Sequence, residues 1–168
     1  MEWTIEVRAA RQADEKAIER IDALTWTTEV SPAPARVGDG FFEHNKLGDI
    51  LVAEVDGQVV GYASLAQASR LPSHAHVLEI NGLAVNPDDQ GRGVGRALVE
   101  ACLAGARQQG ARKLTLRVLG FNARARRLYE ACGFQVEGLL REEFLLDGRY
   151  VDDVFMAHML TGEGEGDG

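Results

Sequence analysis

Three glycines at alternate positions lie in the run Gln90-Gly91-Arg92-Gly93-Val94-Gly95, which joins the apolar segment Leu83-Ala84-Val85 to an amphipathic stretch. Such a turn at the start of a helix can bind an anion. Glycine lacks the Cβ atom that would keep the anion from the backbone, and the first amide groups of a helix have no partner within it. Arg92 and Arg96 add positive charge. The run predicts a phosphate-binding loop; the alternative interpretation is a tight turn whose glycines serve geometry alone.

The spacing around this loop argues against two common phosphate ligands. A dinucleotide-binding fingerprint needs a glycine three residues after Gly93, where the chain has Arg96. A loop for nucleoside triphosphates would end in Gly-Lys-Ser or Gly-Lys-Thr, and the sequence contains neither triplet. The pattern Gln-x-x-Gly-x-Gly instead resembles the acetyl-CoA pyrophosphate loop of the GNAT N-acetyltransferase superfamily. The similarity covers Leu78 to Phe134, with the loop between strand and helix and an Asn-x6-Tyr element further on.

This resemblance implies a fold and an activity. The fold would be a mixed α/β domain with a twisted, mostly antiparallel sheet and helices on both faces, splayed at the strand before the loop. The activity would be acetyl-CoA-dependent transfer of an acetyl group to a primary amine, with no metal. The acceptor would be a small molecule (a polyamine or an amino-acid-like compound) or a protein or peptide N-terminus. A catalytically silent acetyl-CoA-binding sensor or assembly module is the alternative, and a phosphoryl-transfer enzyme is disfavoured because no motif for it occurs.

The same resemblance implies cosubstrate contacts outside the loop. The backbone of Leu83-Ala84-Val85 would pair with the pantetheine arm, and a bulge at Gly82 would open the sheet there. Asn122 would bind the pantetheine, and Tyr129, seven residues later, would lie near the sulfur. The positions are nearly two helical turns apart and are expected to share a face. The alternatives are a helix cap for Asn122 and a packed aromatic ring for Tyr129.

Transfer to an amine also requires a base, and Glu79 is the candidate. It lies in the otherwise apolar strand before the loop, where a carboxylate is costly unless it is partnered or functional. Alternation along the strand groups Glu79 with Asn81. Some members of the resembling family carry the glutamate on the next strand, five residues before the pantetheine-binding asparagine. Arg117 occupies that position here, so Glu79, a water relay or an ion-paired, non-catalytic Glu79 remain open.

Hydrophobic periodicity and turn residues predict the elements that must position these groups. The expected order is β-α-α-β-β-β-α-β-α-β-β, with hairpin turns at Asp56-Gly57 and Asp147-Gly148. The first strand is expected at Trp3 to Arg8. Asp14 is expected to cap a helix whose inner face carries Ala17, Ile18, Ile21 and Leu24.

Composition limits the class of protein. With 168 residues the chain predicts a single domain over residues 1–160, followed by a flexible Gly/Glu tail at residues 161–168. The net charge of −8 argues against a nucleic-acid partner, and no apolar run is long enough to span a membrane. Cytoplasmic location, two free thiols (Cys102 and Cys132) and no metal site are expected. Exposed edges of such sheets make a homodimer plausible.

The acceptor is the least defined part. The segments from Glu137 to Arg141 and from Asp147 to Asp152 look like a bacterial branch of small acetyltransferases. In that fold the acceptor groove would be formed by residues 25–44 and 141–153. Two groups of charged side chains are candidates for acceptor binding. Those that could attract a cationic amine are Glu29, Glu43, Glu142, Asp152 and Asp153, and those that could hold a carboxylate are Arg36 and Arg141.

Overall fold

The predicted order of strands and helices is confirmed in the computed structural model, which describes residues 3–27, 30–35 and 38–161. Short 3-10 turns precede or follow several of the elements. The strands and α-helices are β1 (Glu6–Ala9), α1 (Glu15–Thr25), α2 (Phe41–His44), β2 (Ile50–Val55), β3 (Gln58–Gln67), β4 (Val77–Val85), α3 (Val94–Gln108), β5 (Lys113–Leu119), α4 (Ala123–Ala131), β6 (Gln135–Leu146) and β7 (Arg149–Met159).

Both predicted hairpins are present, and their turns explain the residue types. Asp56 and Gly57 have φ angles of 51° and 77°, and Asp147 and Gly148 have φ angles of 48° and 74°. Two consecutive positive φ values define the turn that matches the twist of paired strands, and aspartate followed by glycine tolerates them best. These turns fix the β2–β3 and β6–β7 pairings.

The strands form one sheet in the order β1-β2-β3-β4-β5-β7-β6. Only the β4–β5 pair is parallel among the described pairings, so the predicted mostly antiparallel sheet is confirmed. Helices cover both faces. Leu98 of α3 belongs to the large apolar cluster on one face, whereas Ile18 and Ile21 of α1 pack with Tyr62 of β3 in a second cluster.

The sheet divides at β4, as predicted. β4 pairs with β5 only from Val77 to Ile80, whereas its pairing with β3 continues to Val85. β5 continues to Leu119 with β7 as its other neighbour. The edge of β4 that faces β5 therefore has no strand partner after Ile80, and a cleft opens between the two strands.

The bulge predicted at Gly82 lies at this division. On β3, Ser64 is opposite Gly82 and Leu65 is opposite Ile80, which leaves Asn81 as the additional residue on β4. An extra residue reverses the side-chain alternation of a strand. This reversal explains why Leu78 and Ile80 before the bulge, and Leu83 and Val85 after it, all pack in the large apolar cluster that contains Leu98 of α3.

Three predictions for the N-terminal region are wrong in detail. The first strand begins at Glu6, not Trp3. Asp14 begins α1 without capping it through its side chain, because its carboxylate accepts hydrogen bonds from the Arg8 guanidinium at 2.8 and 2.9 Å and from the Arg11 amide at 2.7 Å. Leu24, expected on the inner face, is 57% exposed.

Some predictions fall on residues that the structure does not describe. These are Glu29, Arg36 and all of the predicted tail after Thr161. Within the described part of the chain, no helix has the length and apolar character needed to cross a membrane.

The Arg8–Asp14 pair generates a stability prediction. Its hydrogen bonds hold the pKa of the Asp14 carboxyl below the ordinary 3.8. Asp14→Asn is expected to lower the free energy of unfolding at neutral pH by about 2 kcal/mol, because a hydrogen-bonded charge pair is lost. Above pH 3.8 the wild type is expected to have the higher free energy of unfolding. This difference disappears as the pH falls below 3.8, because the Asp14 carboxyl of the folded protein then becomes protonated.

Denaturant unfolding of wild type and variant at several pH values measures this difference. Asp88→Asn, the same change on an exposed residue, is the control and should have little effect. A difference between wild type and Asp14→Asn that stays constant down to low pH would contradict this electrostatic account.

Candidate active site

The three glycines of the loop serve two different purposes. Gly91 and Gly93 have φ angles of 80° and 89°, in the left-handed region that residues with a Cβ rarely adopt. Gly93 is also the residue before the first turn of α3. Gly95 lies in α3 against α4, where an added Cβ would come within 3.0 Å of Leu128 Cδ2. The loop therefore needs two glycines for its turn and one for close helix packing.

Two side chains and one carbonyl group from other parts of the chain hold the loop. The Trp3 indole Nε1 donates to the Arg92 carbonyl at 3.1 Å, and the Arg92 guanidinium lies 4.6 Å from the centre of the Trp3 ring. Gln90 Nε2 donates to the Val85 carbonyl at 3.3 Å, and Gln90 Oε1 accepts from Arg124 Nη1 at 3.0 Å. Sequence reasoning missed Trp3 and Arg124, which no spacing rule connects to the loop.

The remaining predicted cosubstrate residues differ in what they expose. Ala84 and Val94 are 2% and 1% exposed, so they can offer only backbone groups to a ligand. Arg96 is exposed on the first turn of α3 and pairs with Glu100 at 3.0 Å. Asn122 accepts a hydrogen bond from the Ala125 amide at 3.1 Å and caps α4, as the simpler interpretation expected.

A cavity of about 560 Å³ opens where β4 separates from β5. Its wall includes the end of α1, the segment before β2, the bulge of β4 and one residue each from β5 and α4. The lining residues are Asp22, Trp26, Ser31, Ala33, Pro34, Ala35, Gly40, Phe41, His44, Asn45, Tyr62, Ser64, Glu79, Ile80, Asn81, Gly82, Leu83, Arg117 and Tyr129.

The cavity brings together Glu79 and Tyr129, the two predicted catalytic residues, but not Asn122. Glu79 is half-buried, and burial raises its pKa above the ordinary 4.5 because the charged form loses water. Arg117 opposes that shift by favouring the ionised carboxylate. Glu79 is therefore a carboxylate whose proton affinity exceeds that of a solvated glutamate.

Tyr129 is 9% exposed, and its ring meets Phe134 edge to face at 6.0 Å between centroids. Burial, with smaller contributions from Cys102 and Cys132, raises the pKa of its hydroxyl to about 12. The phenol thus stays protonated at neutral pH and is a hydrogen-bond donor in the cavity wall.

A buried hydrogen-bond network on the α1 side of the cavity was not predicted. The Tyr62 hydroxyl donates to Asp22 Oδ1 and accepts from the Trp26 indole Nε1 at 3.0 Å. Burial raises the pKa of Asp22, which the bond from Tyr62 partly offsets. Tyr62 and Asp22 are 40 positions apart, so only the packing of α1 on the sheet reveals the pair. Asp22 gives the cavity a second carboxylate.

Of the two segments predicted to form the acceptor groove, one lines this cavity. The segment before β2 supplies much of the cavity wall, but no residue of the β6–β7 hairpin does. Arg141 is exposed and does not line the cavity. Asp153 does not line the cavity either, but it accepts a hydrogen bond from Arg117, which does. In the part of the chain that the structure describes, no group of three or more acidic, cysteine or histidine side chains could hold a metal ion.

Comparison with known proteins assigns the family. A model of the acetyltransferase (GNAT) family matches residues 15–134. The chain belongs to the GNAT family. It is an acetyl-CoA-dependent N-acetyltransferase, and the prediction of the family and its cosubstrate is confirmed.

Three relatives of this acetyltransferase are informative. It is 30% identical to the L-amino acid N-acyltransferase MnaT of Escherichia coli over 96% of this chain and 97% of the relative. It is 29% identical to the phosphinothricin N-acetyltransferase of Alcaligenes faecalis, over 92% of this chain and 87% of that one. The solved structure of yncA from Salmonella typhimurium with acetyl-CoA is 27% identical and matches with a TM-score of 0.82, over 97% and 98% of the two chains.

The loop of this acetyltransferase fits a diphosphate. Gly91 and Gly93 leave the backbone open where a Cβ would stand, and α3 begins directly after Gly93 with unpaired amide groups. Arg92, Arg96 and Arg124 surround it with positive charge.

Gly93→Val is expected to weaken acetyl-CoA binding by more than about tenfold, or about 1.4 kcal/mol. The new side chain would stand where the backbone must approach the phosphate, and valine disfavours a φ of 89°. Calorimetric titration of the folded variant measures the affinity. Gly110→Val, which imposes the same strain at φ 76° after the other end of α3, is the matched control and should bind normally. Unchanged affinity in Gly93→Val would contradict the assignment.

Proposed function

We propose that this acetyltransferase acetylates the amino group of free amino acids or closely related small molecules. The observation that carries the proposal is that Glu79, Tyr129 and Arg117 line one cavity at the β4–β5 division, beside the bulge. A base, a proton donor and a cation are the groups required for an acceptor that carries both an amine and a carboxylate. The name of the relative MnaT, an L-amino acid N-acyltransferase, supports the same class of acceptor.

The cosubstrate would be held by three elements of this chain. The amide groups from Gly91 to Arg96 would bind the pyrophosphate, with Gln90 keeping the loop in place. The unpartnered edge of β4 at Leu83-Ala84-Val85 would pair with the pantetheine arm, and Asn122 would contact that arm at the start of α4. Bound acetyl-CoA supplies an activated acyl group whose thiolate is a good leaving group.

Glu79 would act as the base for the acceptor amine. Its Oε atoms would accept the proton, directly or through a water molecule, as the nitrogen becomes nucleophilic. The raised pKa of the carboxyl suits this task, because a carboxylate of higher proton affinity takes the proton more readily. Asp22, the other carboxylate in the cavity wall, is held by Tyr62 and is the competing candidate.

Tyr129 would protonate or hydrogen-bond the departing sulfur through its hydroxyl. The buried phenol stays protonated and can donate to the sulfur. Negative charge develops on the sulfur only as the thioester bond breaks, so this hydrogen bond stabilises the transition state more than the ground state. The presence of both Tyr129 and Glu79 in one cavity supports a catalytic role over a silent acetyl-CoA-binding module.

We further propose that residues 1–160 act as one domain in the cytoplasm and that two copies pair. Cys102 and Cys132 are free thiols, as is usual in a reducing compartment. β6 lies at the edge of the sheet and exposes Leu139 and Leu145 by 53% and 59%. An edge strand has unpaired backbone groups, and these exposed leucines would add apolar contact with a second copy.

Glu79→Gln is expected to slow acetyl transfer by about 10²- to 10⁴-fold while acetyl-CoA affinity is retained. The measurement is thiol release with acetyl-CoA and a panel of α-amino acids, polyamines and peptides, on which the wild type should be most active with amino acids. Wild-type kcat/KM should fall as the pH drops through the Glu79 pKa, which lies above 4.5, and this acidic limb should change in the variant.

Asp22→Asn serves as the comparison for this base assignment. It should keep the acidic limb of the profile, because its carboxylate is engaged by Tyr62. If Asp22→Asn removes the limb and Glu79→Gln does not, the base is Asp22. A panel in which only polyamines or peptides react would refute the proposed acceptor class.

Tyr129→Phe removes the hydroxyl and keeps the buried ring. It is expected to lower the single-turnover rate of acetyl transfer by about tenfold or more, with acetyl-CoA affinity little changed, because the lost contact forms only in the transition state. Tyr150→Phe, the same change on a side chain that is 67% exposed, is the control. A wild-type single-turnover rate in Tyr129→Phe would leave Tyr129 with a packing role only.

A further inference from the structure

The guanidinium of Arg117 is fixed on two sides. Its Nε and Nη2 atoms both donate to Asp153 Oδ2, the first at 2.7 Å. Its carbon Cζ lies 4.7 Å from the centre of the Phe155 ring. The Asp153 side chain is only 3% exposed, so the anchor is rigid. Because Asp153 holds one edge of the guanidinium and the Phe155 ring packs on its face, the orientation of the group is defined before any ligand binds.

The guanidinium still has capacity for another anion. Asp153 engages the Nε–Nη2 edge, and none of the hydrogen bonds among the described residues uses Nη1. The side chain of Arg117 is 44% exposed and lines the cavity. It is the one arginine or lysine among the described lining residues. A planar fork of this kind binds a carboxylate through two parallel hydrogen bonds.

Register places this cation beside the candidate base. Glu79 is opposite Thr115 in the parallel β4–β5 pair, and Arg117 is two residues further along β5 on the same face. The two side chains are near enough that the charge of Arg117 lowers the pKa of Glu79, against the larger effect of burial. An α-amino acid carries its amine and its carboxylate on one carbon atom, so one small molecule can contact both residues.

We propose that Arg117, oriented by Asp153, binds the carboxylate of the acceptor and thereby selects α-amino acids over simple amines. The inference rests on the proposed amino-acid acetylation and assigns its specificity to one side chain. Asp153 is a positioning residue, because it acts through Arg117. The competing account is that Arg117 only neutralises the buried Asp153.

The test compares each α-amino acid with the amine that remains when its carboxylate is removed. The quantity measured is the ratio of the two kcat/KM values. The double variant Arg117→Gln with Asp153→Asn removes both charges and leaves no buried ion unpaired. Its ratio is expected to fall by about 10- to 100-fold, through a loss on the amino acid while the simple amine changes little. A purely structural pair would affect both acceptors equally.

Three further variants complete the experiment. Arg117→Lys keeps the charge but loses the fork, and its ratio is expected to fall by at least about threefold. Arg36→Gln and Arg141→Gln, which remove the other arginines considered for a carboxylate, are expected to keep the wild-type ratio. The acetyl-CoA affinity of each variant, measured by calorimetry, shows whether the variant is folded. If the double variant does not bind acetyl-CoA, the ratio measured for Arg117→Lys decides whether Arg117 binds the carboxylate.

Each outcome decides the question. A folded double variant with the wild-type ratio would overturn the role of Arg117 and leave amino-acid acetylation intact. The same holds if the ratio collapses in Arg36→Gln or Arg141→Gln instead. If the wild type accepts simple amines as readily as amino acids, the proposed acceptor class fails and this inference fails with it.

Discussion

The separation of β4 from β5 is the constraint on which the rest of the molecule depends. β4 is bonded along its whole length to β3 but to β5 only as far as Ile80. A sheet that parted without compensation would expose apolar residues from its interior. The extra residue at Asn81 prevents this, because it returns Leu83 and Val85 to the same apolar cluster as Leu78 and Ile80. The cleft is therefore obtained without loss of the core.

The cavity in this cleft has an unusual balance of charge. Glu79 and Asp22 bring two carboxylates into a partly desolvated space, and Arg117 is largely neutralised by Asp153. The pKa values of Glu79 and Asp22 are both raised by burial. The proposed acceptor would place its amine near the two carboxylates and its own carboxylate beside Arg117. The electrostatics and the proposed zwitterionic acceptor are thus consistent with each other.

Local signals in the sequence were sufficient for most of the fold. Asp56-Gly57 specified its hairpin because few residue pairs accept two positive φ values. Gly82 marked the bulge because a glycine inside a strand often accompanies one, and the extra residue is its neighbour Asn81. Glu79 and Tyr129, which were predicted from the sequence, line the cavity, whereas the residues of the glycine loop do not. The rest of the cavity wall depends on contacts between distant segments, such as Tyr62 with Asp22 and Arg117 with Asp153. No periodicity encodes those pairs, and Asp14 was misread because its partner Arg8 precedes the helix.

The contact between Trp3 and the glycine loop has a practical consequence. The Trp3 indole donates to the Arg92 carbonyl and also faces the Arg92 guanidinium, although the two residues are 89 positions apart in the chain. One side chain thus restrains both the backbone and the side chain of Arg92. Replacing Trp3 would release both restraints together, so a change ahead of β1 would alter the turn that precedes α3.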